Sequence, residues 1–140
     1  MSVSSPHSEC LTHGIRIRAA AQYLPRESDP EAPRHVYAYR ISMTNEGTER
    51  ARLRSRHWVI LDSENRREDV RGPGVVGEYP DLAPGESYSY VSYCPLPTTW
   101  GTMEGSYTFE REDGTRFPVG VGRFFLVPSA PPLTVETAAR

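Results

Sequence analysis

The sequence predicts an all-β protein: an antiparallel β-sandwich of immunoglobulin-like or fibronectin type III-like shape with about seven strands. Three observations carry that expectation. Apolar residues recur with a period of two almost throughout, the pattern of strands with one buried face. Prolines number 13 in 140 residues, too many for long helices, and no window holds a 3.6-residue apolar stripe. Turn signals separate the alternating segments at intervals that suit short strands.

The first strand is expected over residues 15–23, where Ile15, Ile17, Ala19, Ala21 and Tyr23 alternate with Arg16, Arg18 and Gln22. A second follows at 37–44, with Tyr37, Tyr39, Ile41 and Met43 set against Arg40, Ser42 and Thr44. Residues 50–61 begin as alternation, Arg50, Arg52, Arg54 and Arg56 against Ala51, Leu53, Ser55 and His57, and end in the unbroken run Trp58 to Leu61. That run predicts a central strand buried on both faces over its second half. Four more strands are expected at 66–71, 86–94, 105–112 and 115–127, with turns at Asn45-Glu46-Gly47, Glu64-Asn65, Ala83-Pro84-Gly85 and Asp113-Gly114. The stretch Leu82 to Tyr88 has the L-x-P-G-x-x-Y pattern of a tyrosine corner, whose hydroxyl ties back to an upstream backbone group. The plainer alternative is a Pro-Gly turn before a strand tyrosine. Residues 1–13 are expected to be a flexible N-terminal extension, 14–128 the sandwich domain and 129–140 a Pro-rich tail.

A chain of 140 residues makes one domain that buries roughly 65–70% of the surface its unfolded form exposes, so no cofactor is expected. The 16 basic and 18 acidic side chains leave a net charge of -2, which argues against a general polyanion binder. No lysine is present, which excludes Schiff-base and P-loop lysine chemistry. Cys10 and Cys94 lie in no C-x-x-C arrangement, and no disulfide framework is expected. There is no signal peptide pattern and no apolar run of about 18 residues, so a soluble, cytoplasmic protein is expected.

Gly72, Gly74 and Gly77 fall at the spacing G-x-G-x-x-G. A dinucleotide site would need a helix to open at the last glycine and an acid about 20 positions on. Here Pro80, Pro84 and Gly85 follow, and position 97 is Pro. The glycines therefore read as a structural loop, with a helix-free nest of amides for an anion as the ligand-binding alternative. Arg50, Arg52, Arg54 and Arg56 would project from one strand face at roughly 6.5–7 Å intervals, near the phosphate spacing of a nucleic-acid strand. The default is a solvated face paired with neighbouring acids. His7, His13, His35 and His57 show no metal-ligand spacing, and no Gly-x-Ser-x-Gly motif occurs. Cys94 reads as a structural thiol, and Trp58 and the strand tyrosines as core. Trp100 lies in the segment "CPLPTTWGTMEG", a loop in which an exposed aromatic can anchor a partner.

The strings "RHVYAYRISMTNEG", "LRSRHWVILDSENR", "VRGPGVVGEYPDLAPGESYSYVSYCPL" and "GTMEGSYTFEREDGTRFPVGVGRFFLV" resemble successive segments of the ApaG family over about residues 14 to 128. The match is carried by Ser55, Arg56, Trp58, Gly72, Gly74, Val75, Val76, Gly77, Glu78, Pro80, Pro84, Gly85, Gly101, Met103, Gly105 and Tyr107. The resemblance implies a fibronectin-type or immunoglobulin-like sandwich and no established enzymatic activity. It further implies a loose link to cobalt resistance and magnesium efflux, and a likeness to interaction modules that sit beside F-box or polymerase-partner regions in eukaryotic proteins. The longer N-terminus, the Pro-rich tail and Trp100 depart from the family pattern.

The expected function is that of a non-enzymatic module binding a protein partner through two loops, with candidate residues Gly72, Gly74, Gly77, Glu78, Trp100, Met103 and Glu104. The alternative is a sensor of a divalent cation or phosphorylated nucleotide through the glycine-rich loop, with Glu78 or Glu104 as loop carboxylates for a hard cation. No catalytic residue, membrane association or nucleic-acid partner is expected, and the sequence gives no oligomeric state.

Overall fold

The structure, a computed structural model, describes residues 7–128. Its strands are β1 (Ser8–Thr12), β2 (Ile15–Tyr23), β3 (His35–Asn45), β4 (Ala51–Asp62), β5 (Arg67–Pro73), β6 (Asp81–Leu82), β7 (Ser87–Leu96), β8 (Gly101–Arg111) and β9 (Arg116–Leu126), with one 3₁₀ turn at Pro25–Glu27. The order β1-β2-β3-β7 forms one antiparallel sheet, and β5-β4-β8-β9 forms the other, with β6 also paired to β4. The two sheets form the expected all-β sandwich. All seven expected strands are present, and two short ones, β1 and β6, complete the sheets.

The period-two residues of β2 and β3 point inward, with Ile15, Ile17, Ala19, Ala21, Tyr37, Tyr39, Ile41 and Met43 all buried. They share one core with Leu53, Trp58, Ile60, Tyr107, Phe109, Val119, Val121 and Phe124 of the second sheet. Trp58 is its aromatic hub, in edge contact with Tyr39, Tyr107 and Phe124 at centroid distances of 5.5, 5.9 and 6.1 Å. β4 is central as expected, although Val59 and Leu61 keep partial exposure on its outer face.

Part of the expected flexible extension is a strand. Thr12 and Ile15 are paired through His13 and Gly14, whose φ angles of 49° and 85° give the twist that joins two antiparallel strands tightly. β1 is fixed on its other side by β9: the Ser8 hydroxyl donates to the Gly122 carbonyl at 2.8 Å, and the Gly120 N–H donates to Thr12 Oγ1 at 3.2 Å. His7 accepts the Ala21 N–H on Nδ1 at 3.1 Å, and burial lowers its pKa. The Pro-rich tail at 129–140 lies outside the described residues.

The Pro-Gly corner also differs from expectation. The Tyr88 hydroxyl makes no hydrogen bond among the described residues; its ring lies beside Tyr90 at 6.2 Å. The corner is tied by the buried side chain of Asn45, which donates to the Glu49 and Leu82 carbonyls at 2.8 and 2.9 Å and accepts the Gly47 N–H at 2.9 Å. Gly85 in turn donates its N–H to the Asn45 carbonyl at 2.7 Å. A primary amide both donates and accepts, so one residue here closes the 45–49 turn and also ties the Pro-Gly corner that the phenol was expected to brace.

Candidate functional site

β5 and β6 occupy successive stretches of the same β4 edge, β5 opposite Ser55 to Leu61 and β6 opposite Ala51 and Arg52. Between them the chain makes an excursion, and the glycine motif lies at its root and tip. Val75 and Glu78 exchange backbone hydrogen bonds of 2.8 Å in both directions. Val76 and Gly77, between them, have φ of 43° and 81°, the signature of a type I′ hairpin turn. No helix follows Gly77, in agreement with the exclusion of a dinucleotide fold.

The three glycines meet different surroundings, and the backbone itself calls for glycine at 74 and 77. A Cβ at Gly72 would come within 2.9 Å of an Arg56 guanidinium nitrogen. Gly74 combines φ of 60° with a Glu78 carbonyl 2.5 Å from where its Cβ would stand. Gly77 lies in open space and needs only its positive φ of 81°. Two of the three positions thus follow from one close approach and one turn, and Gly72 lies against a guanidinium. The Gly74, Val75 and Glu78 amides already serve the Arg54, Glu78 and Val75 carbonyls, which removes most of a phosphate-binding nest.

Arg56 is the residue that sequence periodicity misplaced. The pairing of β4 with β8 shifts between Leu53 and Ser55, a β-bulge that inserts one residue and reverses which face the following side chains take. Ala51 and Leu53 are buried before the bulge; Trp58, Ile60 and Asp62 are buried after it. Arg56 therefore leaves the outward series and turns toward the core. Burial raises the phenol pKa values of Tyr39, Tyr90 and Tyr107, and the Arg56 charge opposes that rise at all three. Its Nη1 donates to the Pro73 and Gly74 carbonyls at 2.9 and 2.8 Å, fastening the hairpin root to β4.

The remaining arginines are paired as a solvated face would be. Arg50 and Arg52 meet Asp81 at 3.5 and 3.4 Å, and Arg54 meets Glu110 at 3.4 Å. A shallow depression of about 240 Å³ runs among them, with Glu112 and Arg111 also on its wall. With Arg56 turned inward and acids between the others, no four-arginine phosphate ladder exists.

The hairpin presents two apolar groups above a fixed base. Val75 is 1% exposed and belongs to the core, whereas Val76 and Tyr79, which follow it, are 51% and 45% exposed. The Arg54 guanidinium lies 5.7 Å from the Tyr79 ring centroid. Glu78 contributes backbone bonds to the turn, as described.

Trp100 is exposed as expected, 43%, on a loop braced by Tyr37 Oη donating to the Thr99 carbonyl at 2.6 Å and by Ser63 N–H donating to Thr98 Oγ1 at 3.0 Å. Met103 and Glu104 are not loop residues, because β8 begins at Gly101 rather than near 105. Met103 is a core side chain, 1% exposed, and Glu104 pairs with Arg123 at 2.8 Å. The register of Thr102 with Phe125 instead places Phe125, 52% exposed, next to the Trp100 end of β8. The two expected loops do not share a surface. Gly74 is bonded to Arg54, and Gly101, after Trp100, pairs with Asp62, roughly 26 Å further along β4.

The other reactive side chains have structural partners. His57 Nε2 lies 2.7 Å from Asp69, whose carboxyl is held well below the usual range by Arg67 first and His57 second. His35 bonds the Tyr23 hydroxyl at 3.1 Å, and His13 packs edge-on against Phe117. Burial pushes the Cys94 thiol up to about 12, the opposite of an activated nucleophile. Among the described residues no group of three or more His, Cys, Asp or Glu is placed to hold a metal, and no helix is long and apolar enough to cross a membrane.

Fold and surface together define a small antiparallel β-sandwich with an arginine-fastened glycine hairpin on one sheet edge. The ApaG domain matches residues 25–111, and the chain belongs to that family. It is 46% identical over 115 residues to Protein ApaG of Methylobacterium sp. (strain 4-46), covering 82% of this chain and 88% of that protein. Protein ApaG of Aromatoleum aromaticum is 47% identical over 119 residues, covering 85% and 94%. The crystal structure of the putative ApaA protein from Bordetella pertussis superposes with a TM-score of 0.79 at 41% identity, covering 91% of this chain and 98% of that one.

Proposed function

We propose that this chain is a non-enzymatic binding module whose glycine hairpin contacts a protein partner. One observation carries the proposal: Val76, a β-branched residue, is held at φ of 43° and half-exposed at the tip. Such a residue is a steric outlier at positive φ, and strain of this kind persists where surrounding structure enforces it and gathers at functional sites. The enforcement is visible in the buried Val75 and the Arg56 bonds at the hairpin root. An aromatic and an aliphatic group on a rigid projection make a small anchor of the sort that dominates protein interfaces.

The test compares wild type, Tyr79→Ser and Trp100→Ala as baits at equal folded concentration, with captured proteins quantified by mass spectrometry. Tyr79→Ser is expected to lose partners captured by wild type by roughly tenfold or more. Trp100→Ala, on the distant loop, is expected to retain them. Equal capture of the same proteins by Tyr79→Ser and wild type contradicts the proposal.

A further inference from the structure

The sheet edges of this sandwich are unequally protected. β1 and β9 lie against each other through the Ser8 and Thr12 hydroxyls. β5 carries Arg67, Glu68, Asp69 and Arg71, charges of the kind that keep an edge from pairing. β7 is different. Its ten residues, SYSYVSYCPL, include no charged side chain, although charged residues make up 24% of the chain and each of the other strands holds at least one.

The direction of the free backbone groups follows from the register. The Asn45 N–H donates to the Glu86 carbonyl at 2.9 Å, and the pairs Met43↔Tyr88, Ile41↔Tyr90, Tyr39↔Ser92 and Tyr37↔Cys94 continue without a shift. Alternation then turns the N–H and C=O groups of the even-numbered β7 residues toward β3. Those of Ser87, Ser89, Val91 and Tyr93 point to the open edge. Val91 and Tyr93 are also 39% and 63% exposed. Pro95, with no N–H, ends the pairing-competent run.

We propose that β7 is a self-pairing edge, through which a second copy of this chain joins antiparallel about a two-fold axis at Val91. The strand is self-complementary about that residue: Val91 meets Val91 of the second copy, and Ser89 meets Tyr93 in both directions. These three pairs exchange about six backbone hydrogen bonds, each Tyr93 ring lies opposite a small serine, and no charge is buried. A symmetric contact of this kind closes after two copies. Strand pairing alone buries a modest area, so the dimer is weak and concentration-dependent. This inference is independent of the hairpin's role.

Sedimentation velocity from about 1 μM to 1 mM reads the outcome directly. Wild type is expected to rise toward twice its monomer mass across that range, while Val91→Lys stays monomeric with an unchanged circular dichroism spectrum. Ser89→Pro removes a free-edge N–H without removing a bond to β3, and it is expected to stay monomeric as well. A wild type that is monomeric throughout overturns the proposal. So does a Val91→Lys protein that dimerises like wild type, or a folded Ser89→Pro protein that still dimerises, since the contact would then not be strand pairing.

Discussion

Trp58→Ala is expected to lower stability by about 3–5 kcal/mol and the melting temperature by roughly 10–20 °C. Trp58 is 3% exposed and sits between both sheets, with Tyr39 on one side and Tyr107 and Phe124 on the other. Truncation leaves a cavity bounded by rings that belong to paired strands, so the walls have little freedom to close. The conservative change separates packing from polarity. The indole Nε1 is buried without a hydrogen-bond partner, so Trp58→Phe gives up volume but no bond and is expected to cost under about 2 kcal/mol. Urea denaturation of both variants checks the pair. A Trp58→Phe loss as large as that of Trp58→Ala would show that the N–H matters more than its surroundings indicate.

Gly105→Ala is expected to be nearly as damaging, by about 3 kcal/mol or more, although it adds a single methyl group. Gly105 pairs with Trp58 in β4, next to an irregularity in the β8–β9 register between Met103 and Gly105. A Cβ there would run into the His57 carbonyl oxygen, with the Trp58 Cα only 3.1 Å away. Both obstacles are backbone, so relief requires β4 and β8 to move apart at the centre of their sheet. Gly120→Ala is the control: its added carbon would meet the Cys10 sulfur at 3.6 Å and Thr12 Oγ1 at 3.7 Å, ordinary contacts. It is expected to melt within about 1 kcal/mol of wild type. Equal losses for the two glycines would mean that β-strand glycine itself, rather than backbone approach at Gly105, sets the cost.

The sandwich was legible because most strands bury one face, and burial of one face writes a period of two into the chain. Legibility ended where a single residue changes the phase. The bulge between Leu53 and Ser55 interrupts arginines that alternate without a break, so nothing in composition separates the inward Arg56 from the outward Arg50, Arg52 and Arg54. β1 was hidden because its turn is His13-Gly14 instead of the Asn-Gly or Asp-Gly that advertises such hairpins. Met103 and Glu104 were placed in a loop because the strand was expected to begin only at 105, whereas β8 begins at Gly101. At Gly101, as at Gly105, a Cβ would collide with the neighbouring backbone. In the candidate site, glycine at 74 and 77 was legible as positive φ or close backbone approach, which both positions show; the guanidinium beside Gly72 was not, because it comes from a strand 16 positions earlier. Val76 gave no signal, since a β-branched residue is the last one expected at positive φ.

That residue also offers the most direct test of the central claim, that the glycine segment is a strained hairpin holding a contact surface and not a ligand-binding turn. The measurement is the melting temperature of Val76→Asn beside wild type. Asparagine suits the first central position of a type I′ turn, and Val76 lies half-exposed outside the core. Relief of strain is predicted to raise stability by about 1 kcal/mol, or roughly 3–5 °C in a domain of this size. An unchanged or lower melting temperature would contradict the account, because the tip would then carry no strain for a binding role to explain.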